Sequence, residues 1–119
     1  MKIVLTISAL IFSLIVSSQH IRNEYYSSGE VRTIQIIEGS VVSFTTYYKD
    51  GTIMETGAYY KNMRHGKWMV FSEDGSQLSE GHYSMGRKLG VWNVKASRDE
   101  TAYQMRYRNG LRVEARKLN

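Results

Sequence analysis

The chain has 119 residues, contains neither cysteine nor proline, and carries 16 basic against 11 acidic side chains, a formal net charge of +5. The missing cysteines exclude a disulfide framework, a thiolate metal site and a cysteine nucleophile. Because no proline interrupts backbone pairing, we expect stability to come from sheet hydrogen bonding and packing alone.

The chain begins with a segment typical of a secretory signal peptide. Lys2 supplies a positive start, residues 3–16 are almost wholly apolar, and small residues follow. We expect cleavage after Ser18, so that residues 1–18 are removed and residues 19–119 form a single domain. The apolar run is shorter than the about 20 residues that span a bilayer. The sequence therefore predicts export to the periplasm or the cell exterior, with an uncleaved N-terminal membrane anchor as the alternative.

Turn-forming dipeptides then separate runs rich in aromatic and β-branched residues. Asp50-Gly51, Asp74-Gly75 and Asn109-Gly110 are hairpin signals, because type I′ turns need positive φ at both central residues. Longer connections are expected over 61–66 and 85–90. No window shows sustained helical periodicity, so the sequence predicts an all-β fold, an elongated antiparallel meander sheet. The predicted strands lie near 22–26, 31–37, 41–48, 52–60, 67–72, 77–84, 91–96, 101–108 and 111–116.

A unit of 24 residues recurs in the middle of the chain, with its best copies at 47–70 and 71–94 and degenerate copies at both ends. Seven positions of the first copy, six of them identical and one an aromatic exchange, return in the second. They are Tyr47, Gly51, Gly57, Tyr59, Gly66, Trp68 and Val70, followed by Phe71, Gly75, Gly81, Tyr83, Gly90, Trp92 and Val94. Tandem units of this length stack on one another and bury a continuous core.

The repeated glycine and aromatic residues suggest how each unit packs. A hairpin centred on residues 61–66 would bring Trp68 opposite Tyr59 and Val70 opposite Gly57, on one face of the sheet. A glycine in that position leaves room for a ring to lie across the strand. We therefore predict a repeat core, with an exposed aromatic ligand platform as the alternative. The predicted core residues are Gly57, Tyr59, Trp68, Gly81, Tyr83 and Trp92.

The pattern of each unit resembles the MORN-repeat variant family. The residues that carry the resemblance are 47–51, 57–59 and 66–68, which read Tyr-Tyr-Lys-Asp-Gly, Gly-Ala-Tyr and Gly-Lys-Trp, and the second copy repeats them. The resemblance covers about half of the chain well. It implies an elongated sheet of successive hairpins, and it implies binding or scaffolding more than catalysis.

The sequence offers no set of residues for catalysis. His20, His65 and His82 lack the spacing of a zinc motif. Neither a Ser-His-Asp order nor a phosphate-binding loop is present, and the aspartates of the Asp-Gly pairs are explained by turns. We therefore predict no catalytic residue, no metal and no cofactor, and a hydrolase of glycan substrates is the least favoured class.

The last quarter of the chain holds the excess positive charge, with seven basic and three acidic residues from Lys95 onward. Two interpretations remain open. The basic residues form a surface for an anion or a partner, or they protect a charged last strand from edge-to-edge pairing. The candidate binding residues are Arg106, Arg108, Arg112, Arg116 and Lys117.

Together these observations predict a non-enzymatic exported repeat protein that provides a protein-interaction or scaffolding surface. The alternative is a peripheral module that contacts anionic lipid or glycan of the cell envelope through the basic C-terminal segment. A protein partner or an envelope component is expected, whereas nucleic acid is not expected for an exported chain. The sequence does not select an oligomeric state.

Overall fold

The structure, a computed structural model, describes residues 18–96 and 101–118. The predicted signal peptide lies outside the described residues apart from Ser18. The described residues contain ten β-strands and no helix. The strands are β1 (His20–Tyr25), β2 (Val31–Glu38), β3 (Val41–Tyr47), β4 (Ile53–Tyr60), β5 (Met63–Arg64), β6 (Gly66–Phe71), β7 (Gln77–Ser84), β8 (Arg87–Lys95), β9 (Ala102–Arg108) and β10 (Leu111–Leu118).

The strands form a single open antiparallel sheet in which neighbours in sequence are neighbours in space. The order is β1-β2-β3-β4-β6-β7-β8-β9-β10, and the short β5 pairs with β4. The predicted all-β meander is therefore confirmed. One edge of the sheet is β1 and the other is β10, and both edge strands are largely exposed.

Turns at one long side of the sheet are tighter than the sequence suggested. Lys61 and Asn62 both have positive φ, 48° and 64°, and form a two-residue turn after which β5 begins at once. Met85 and Gly86 do the same, so that β8 starts at Arg87. The expected long connections over 61–66 and 85–90 were therefore wrong, because non-glycine residues adopt the left-handed conformation that type I′ turns require.

Turns at the other long side have three central residues. In the first repeat the Gly51 N–H donates to Tyr48 O at 3.0 Å, and the Tyr48 N–H donates to Thr52 O at 2.8 Å. Gly51 has positive φ, whereas Asp50 is not among the residues with positive φ. The expected two-residue type I′ turns at Asp50-Gly51 and Asp74-Gly75 were thus wrong, and the glycine alone supplies the left-handed residue.

The register of the repeat hairpin also differs from the expectation. Val70 lies opposite Glu55 rather than opposite Gly57, a shift of two residues. The shift arises because β5 pairs tightly with β4, Arg64 opposite Tyr59, before β6 begins. An even shift leaves every side chain on its predicted face, and it moves Trp68 from Tyr59 to Gly57.

Hydrogen bonds between successive units fix the position of each repeat relative to the next. The Tyr26 hydroxyl donates to Tyr47 O at 2.7 Å, and the Tyr48 hydroxyl donates to Phe71 O at 2.6 Å. Tyr47 and Phe71 are equivalent positions of the two units. Tyr26 and Tyr48, each the second residue of a Tyr-Tyr pair, therefore satisfy a backbone carbonyl of the following unit, which gives them a structural role.

Candidate functional site

One face of the sheet carries a continuous row of aromatic rings, which we call the aromatic ladder. Neighbouring ring centroids along it lie between 4.9 and 6.3 Å apart, and most pairs meet edge to face. Edge-to-face contacts place the positive ring edge on the negative ring face. The ladder runs across six strands and joins the repeats into one core. Its members are Phe44, Tyr59, Trp68, Tyr83, Trp92 and Tyr107.

The two tryptophans form the buried centre of the ladder. Trp68 and Trp92 are only 6% and 5% exposed, and their indoles lie flat across Gly57 and Gly81. Each indole Nε1–H donates to a backbone carbonyl ten residues earlier, at 3.1 Å for Trp68 and 3.2 Å for Trp92. The indoles are therefore satisfied and enclosed, as a packing role requires, and they leave little surface for a ligand platform.

Cations lie over the ladder at the same point of each repeat. The Arg64 guanidinium carbon is 5.2 Å from the Trp68 ring centroid and 5.7 Å from that of Tyr83. Lys88 Nζ is 4.9 Å from the Trp92 ring and 5.0 Å from the Tyr107 ring. Each cation thus bridges two rings within the range of a cation–π contact. On the ladder face, positively charged side chains therefore cover the aromatic rings.

Carboxylates occupy the opposite long side of the sheet, in the three-residue turns. Hydrogen bonds from Ser72 and Ser76 lower the pKa of Asp74 to about 2. A hydrogen bond from Thr52 lowers the pKa of Asp50, and one from Ser28 lowers the pKa of Glu30. These groups are fully exposed turn residues that stay ionised at neutral pH. An acid–base pair also needs a carboxyl group with a raised pKa, and the shifts of these three turn carboxyls are all downward.

The five candidate residues of the basic C-terminal segment do not form one surface. Arg106 lies opposite Glu114, and Arg116 lies opposite Gln104, so both share the face opposite to the ladder with Arg108. Arg112 and Lys117 lie opposite Tyr107 and Tyr103, on the ladder face. The five residues that the candidate set named are thus divided three to two: Arg106, Arg108 and Arg116 on one face, and Arg112 and Lys117 on the other.

Two of these residues already have partners within the sheet. Arg106 Nε is 3.7 Å from Glu114 Oε2, and Arg116 Nη2 donates to Gln104 Oε1 at 2.8 Å. Exposed pairs of this kind contribute little to stability, but they fix the side chains across the last two strands. β10 is the edge strand that the charged-edge interpretation needs, so this interpretation stays open beside a binding role.

An apolar patch lies on the face opposite the ladder, near the C-terminal edge. Leu89 and Val91 of β8 are 49% and 40% exposed, and Leu111 and Val113 of β10 are 71% and 53% exposed. Arg106 and Arg108 of β9 lie between the two strands, opposite Val91 and Leu111 respectively. A shallow groove is lined by Leu89, Val91, Arg106, Arg108 and Val113. We call these six residues the apolar patch: Leu89, Val91, Arg106, Arg108, Leu111 and Val113.

The histidines stay apart from one another. The Met85 N–H donates to His65 Nδ1 at 3.4 Å, and the side chain of His82 is exposed on the face opposite the ladder. Across residues 18–96 and 101–118, no three of His, Cys, Asp or Glu are grouped so that they could hold a metal ion. The same part of the chain contains no helix long and apolar enough to cross a membrane.

Comparison of the chain with family models, with curated proteins and with solved structures finds no match. The resemblance to the MORN-repeat variant family therefore rests on the repeated residues alone and stays a prediction. What can be assigned at this point is the class of architecture, an open β-meander of tandem hairpin units with one aromatic and one mixed face.

Two surfaces were missed by sequence reasoning. Arg64 and Lys88 differ by one repeat of 24 residues, and Arg112 continues the series, so a search of the repeat for conserved charge as well as identity finds them. The apolar patch has a weaker signal: Leu89 of β8 and Val113 of β10 are 24 residues apart, but Leu111 corresponds to Arg87.

Proposed function

We propose that this protein is a non-catalytic interaction module of the MORN-repeat variant type that binds another protein through the apolar patch. The observation that carries the proposal is the exposure of Leu89, Val91, Leu111 and Val113 around two arginines. Exposed clusters of apolar side chains mark interaction sites on protein surfaces.

The composition of the patch favours a protein partner. Arginine is enriched in protein interfaces, whereas lysine is depleted. The guanidinium group of Arg108 can pair with a carboxylate of the partner in a bidentate geometry, and Arg106 can do so if it exchanges its exposed pairing with Glu114. The aliphatic side chains on either side would exclude water from these pairs. A partner surface of aliphatic residues with one or two carboxylates fits this arrangement.

The proposal is tested by affinity capture with a matched pair of variants. The patch variant is Leu89→Ser with Leu111→Ser, and the control is Ile21→Ser with Tyr25→Ser, two exposed residues of β1 at the other edge. We expect one partner at a fixed stoichiometry with the wild type and the control, and loss of that partner with the patch variant. Equal recovery with both variants, or no partner for a folded wild-type chain, would refute the proposal.

Export is part of this proposed function. The mature chain is expected to begin at Gln19, as the signal-peptide interpretation of residues 1–18 requires. Mass spectrometry of the protein from its native envelope or culture fluid checks this directly. A full-length chain in the membrane fraction would favour the N-terminal anchor instead.

A further inference from the structure

Three cations of the ladder face recur with the repeat and form a row along the ladder. Arg64, Lys88 and Arg112 recur at intervals of 24 residues, and each lies opposite a ladder tyrosine, Tyr59, Tyr83 or Tyr107. Each repeat adds two strands to the sheet, so successive cations lie about 10 Å apart. We call Arg64, Lys88 and Arg112 the cation row.

The side of the sheet that holds the cation row is basic as a whole. Its two-residue turns contain Lys61 and are flanked by the strand ends Arg87 and Arg108, whereas the acidic Glu38 precedes the first turn. The carboxylates of the ladder face, Glu24 and Glu55, lie toward the opposite side of the sheet, opposite Thr33 and Val70. The three-residue turns at that opposite side are acidic. The sheet is therefore polarised across its width.

The row is held ready for a ligand. Arg64 and Lys88 each lie over two rings. These contacts restrict the two side chains, so less side-chain conformational entropy is lost when a ligand binds. Within the described residues, neither ion pair involves a member of the row. These ion pairs therefore leave the positive charges of the cation row available to an external anion.

From this geometry we propose that the cation row binds a linear acidic polysaccharide that carries a carboxylate on every second sugar. A disaccharide unit has about the length of one repeat, so consecutive carboxylates would meet consecutive cations. An extended acidic peptide presents same-face side chains about 7 Å apart, and a nucleic-acid strand presents its phosphates more closely still. The spacing therefore selects the polysaccharide among linear polyanions.

This inference goes beyond the proposed function, because it uses the other face of the sheet and needs no protein partner. Its binding is mainly electrostatic and should weaken as salt rises. The half-buried tyrosines of the ladder border the same row and offer their hydroxyl groups to the sugar rings. The two sites can be separated by variants of one face at a time.

The test measures binding of a fluorescent oligosaccharide of alternating glucuronate and N-acetylglucosamine by anisotropy at low salt, with neutral dextran as the uncharged comparison. The row variant is Arg64→Gln, Lys88→Gln and Arg112→Gln. The control is Arg106→Gln, Arg108→Gln and Arg116→Gln, which removes the same charge from the opposite face. We expect the row variant to lose at least about tenfold in affinity and the control less than about twofold.

The single variant Arg112→Gln keeps the test decisive if the triple variant does not fold, because Arg64 and Lys88 are the row members that lie over rings of the ladder. It should lose about threefold, and Leu89→Ser with Leu111→Ser should lose nothing. Equal loss in row and control variants, or no binding by the folded wild type, would overturn the proposal. Tighter binding to phosphatidylglycerol vesicles with the same dependence on the row would replace the polysaccharide by a membrane.

Discussion

Adding one methyl group at Gly81 should displace Trp92, the most buried hydrophobic side chain among residues 18–96 and 101–118. A Cβ atom built on Gly81 would lie 2.0 Å from Trp92 Cδ2 and 2.2 Å from Trp92 Cε2, far inside van der Waals contact. The indole cannot simply slide, because its Nε1–H is bound to His82 O at 3.2 Å and Tyr83 packs edge-on at 4.9 Å. Gly81→Ala therefore forces the tryptophan or the strand to move.

The loss of stability expected for Gly81→Ala can be estimated from two known kinds of core substitution. Overpacking a well-filled core typically costs about 1–3 kcal/mol, and expelling a buried tryptophan altogether costs about 3–5 kcal/mol. We expect Gly81→Ala to lower the free energy of unfolding by about 3 kcal/mol, which corresponds to a fall in Tm of roughly 12–24 °C for a domain of this size. Gly57→Ala should cost less, because its nearest approach to Trp68 is 2.6 Å.

The assay is urea unfolding followed by circular dichroism and tryptophan fluorescence. The control is the double variant Gly81→Ala with Trp92→Leu, in which the smaller side chain leaves room for the methyl group. If the clash is the cause, the double variant loses less than the sum of the two single changes, because contacting residues couple. A Gly81→Ala protein within about 0.5 kcal/mol of the wild type, the range of a neutral surface change, would refute the stacking of indole on glycine.

Three further changes test separate parts of the structure. Trp68→Ala and Trp92→Ala should each lower the free energy of unfolding by about 3–5 kcal/mol, measured in urea. Values near zero would favour the exposed aromatic ligand platform instead. Tyr48→Phe removes a hydrogen bond between units and should cost about 0.5–1.5 kcal/mol, whereas the exposed Tyr25→Phe should cost nothing measurable. The depressed pKa of Asp74 means that its stabilisation is present above its ordinary pKa of 3.8 and is lost as pH falls through about 2. Asp74→Asn should therefore flatten the fall of Tm over that interval, and an unchanged acid slope would contradict the hydrogen-bonded turn.

The architecture could be predicted from the sequence because it follows from the repeated residues. Identical glycine and aromatic positions 24 residues apart, such as Trp68 and Trp92, define both the unit and the face on which its core lies. The register was less readable, since it depends on left-handed φ at Lys61, Asn62 and Met85. Lysine and methionine seldom adopt that conformation, so Lys61 and Met85 gave no local signal of the tight turns, whereas Asn62 has an intrinsic tendency toward it.

The candidate surfaces were harder to predict than the fold. Assigning Arg112 and Arg116 to opposite faces requires the bulge between Arg112 and Glu114 in β10. Bulges of this kind change which face a side chain occupies, and alternation counted along the sequence does not detect them.

The stacking of the indoles on bare backbone is the central claim, and the proton chemical shifts of two glycines test it most directly. A hydrogen atom held against the face of an indole is shielded by the ring current. We therefore expect the Hα signals of Gly57 and Gly81 to lie well upfield of those of the turn glycines Gly51 and Gly75, and to show Overhauser contacts to the Trp68 and Trp92 ring protons. Glycine signals at ordinary positions without such contacts would contradict the fold and its ladder.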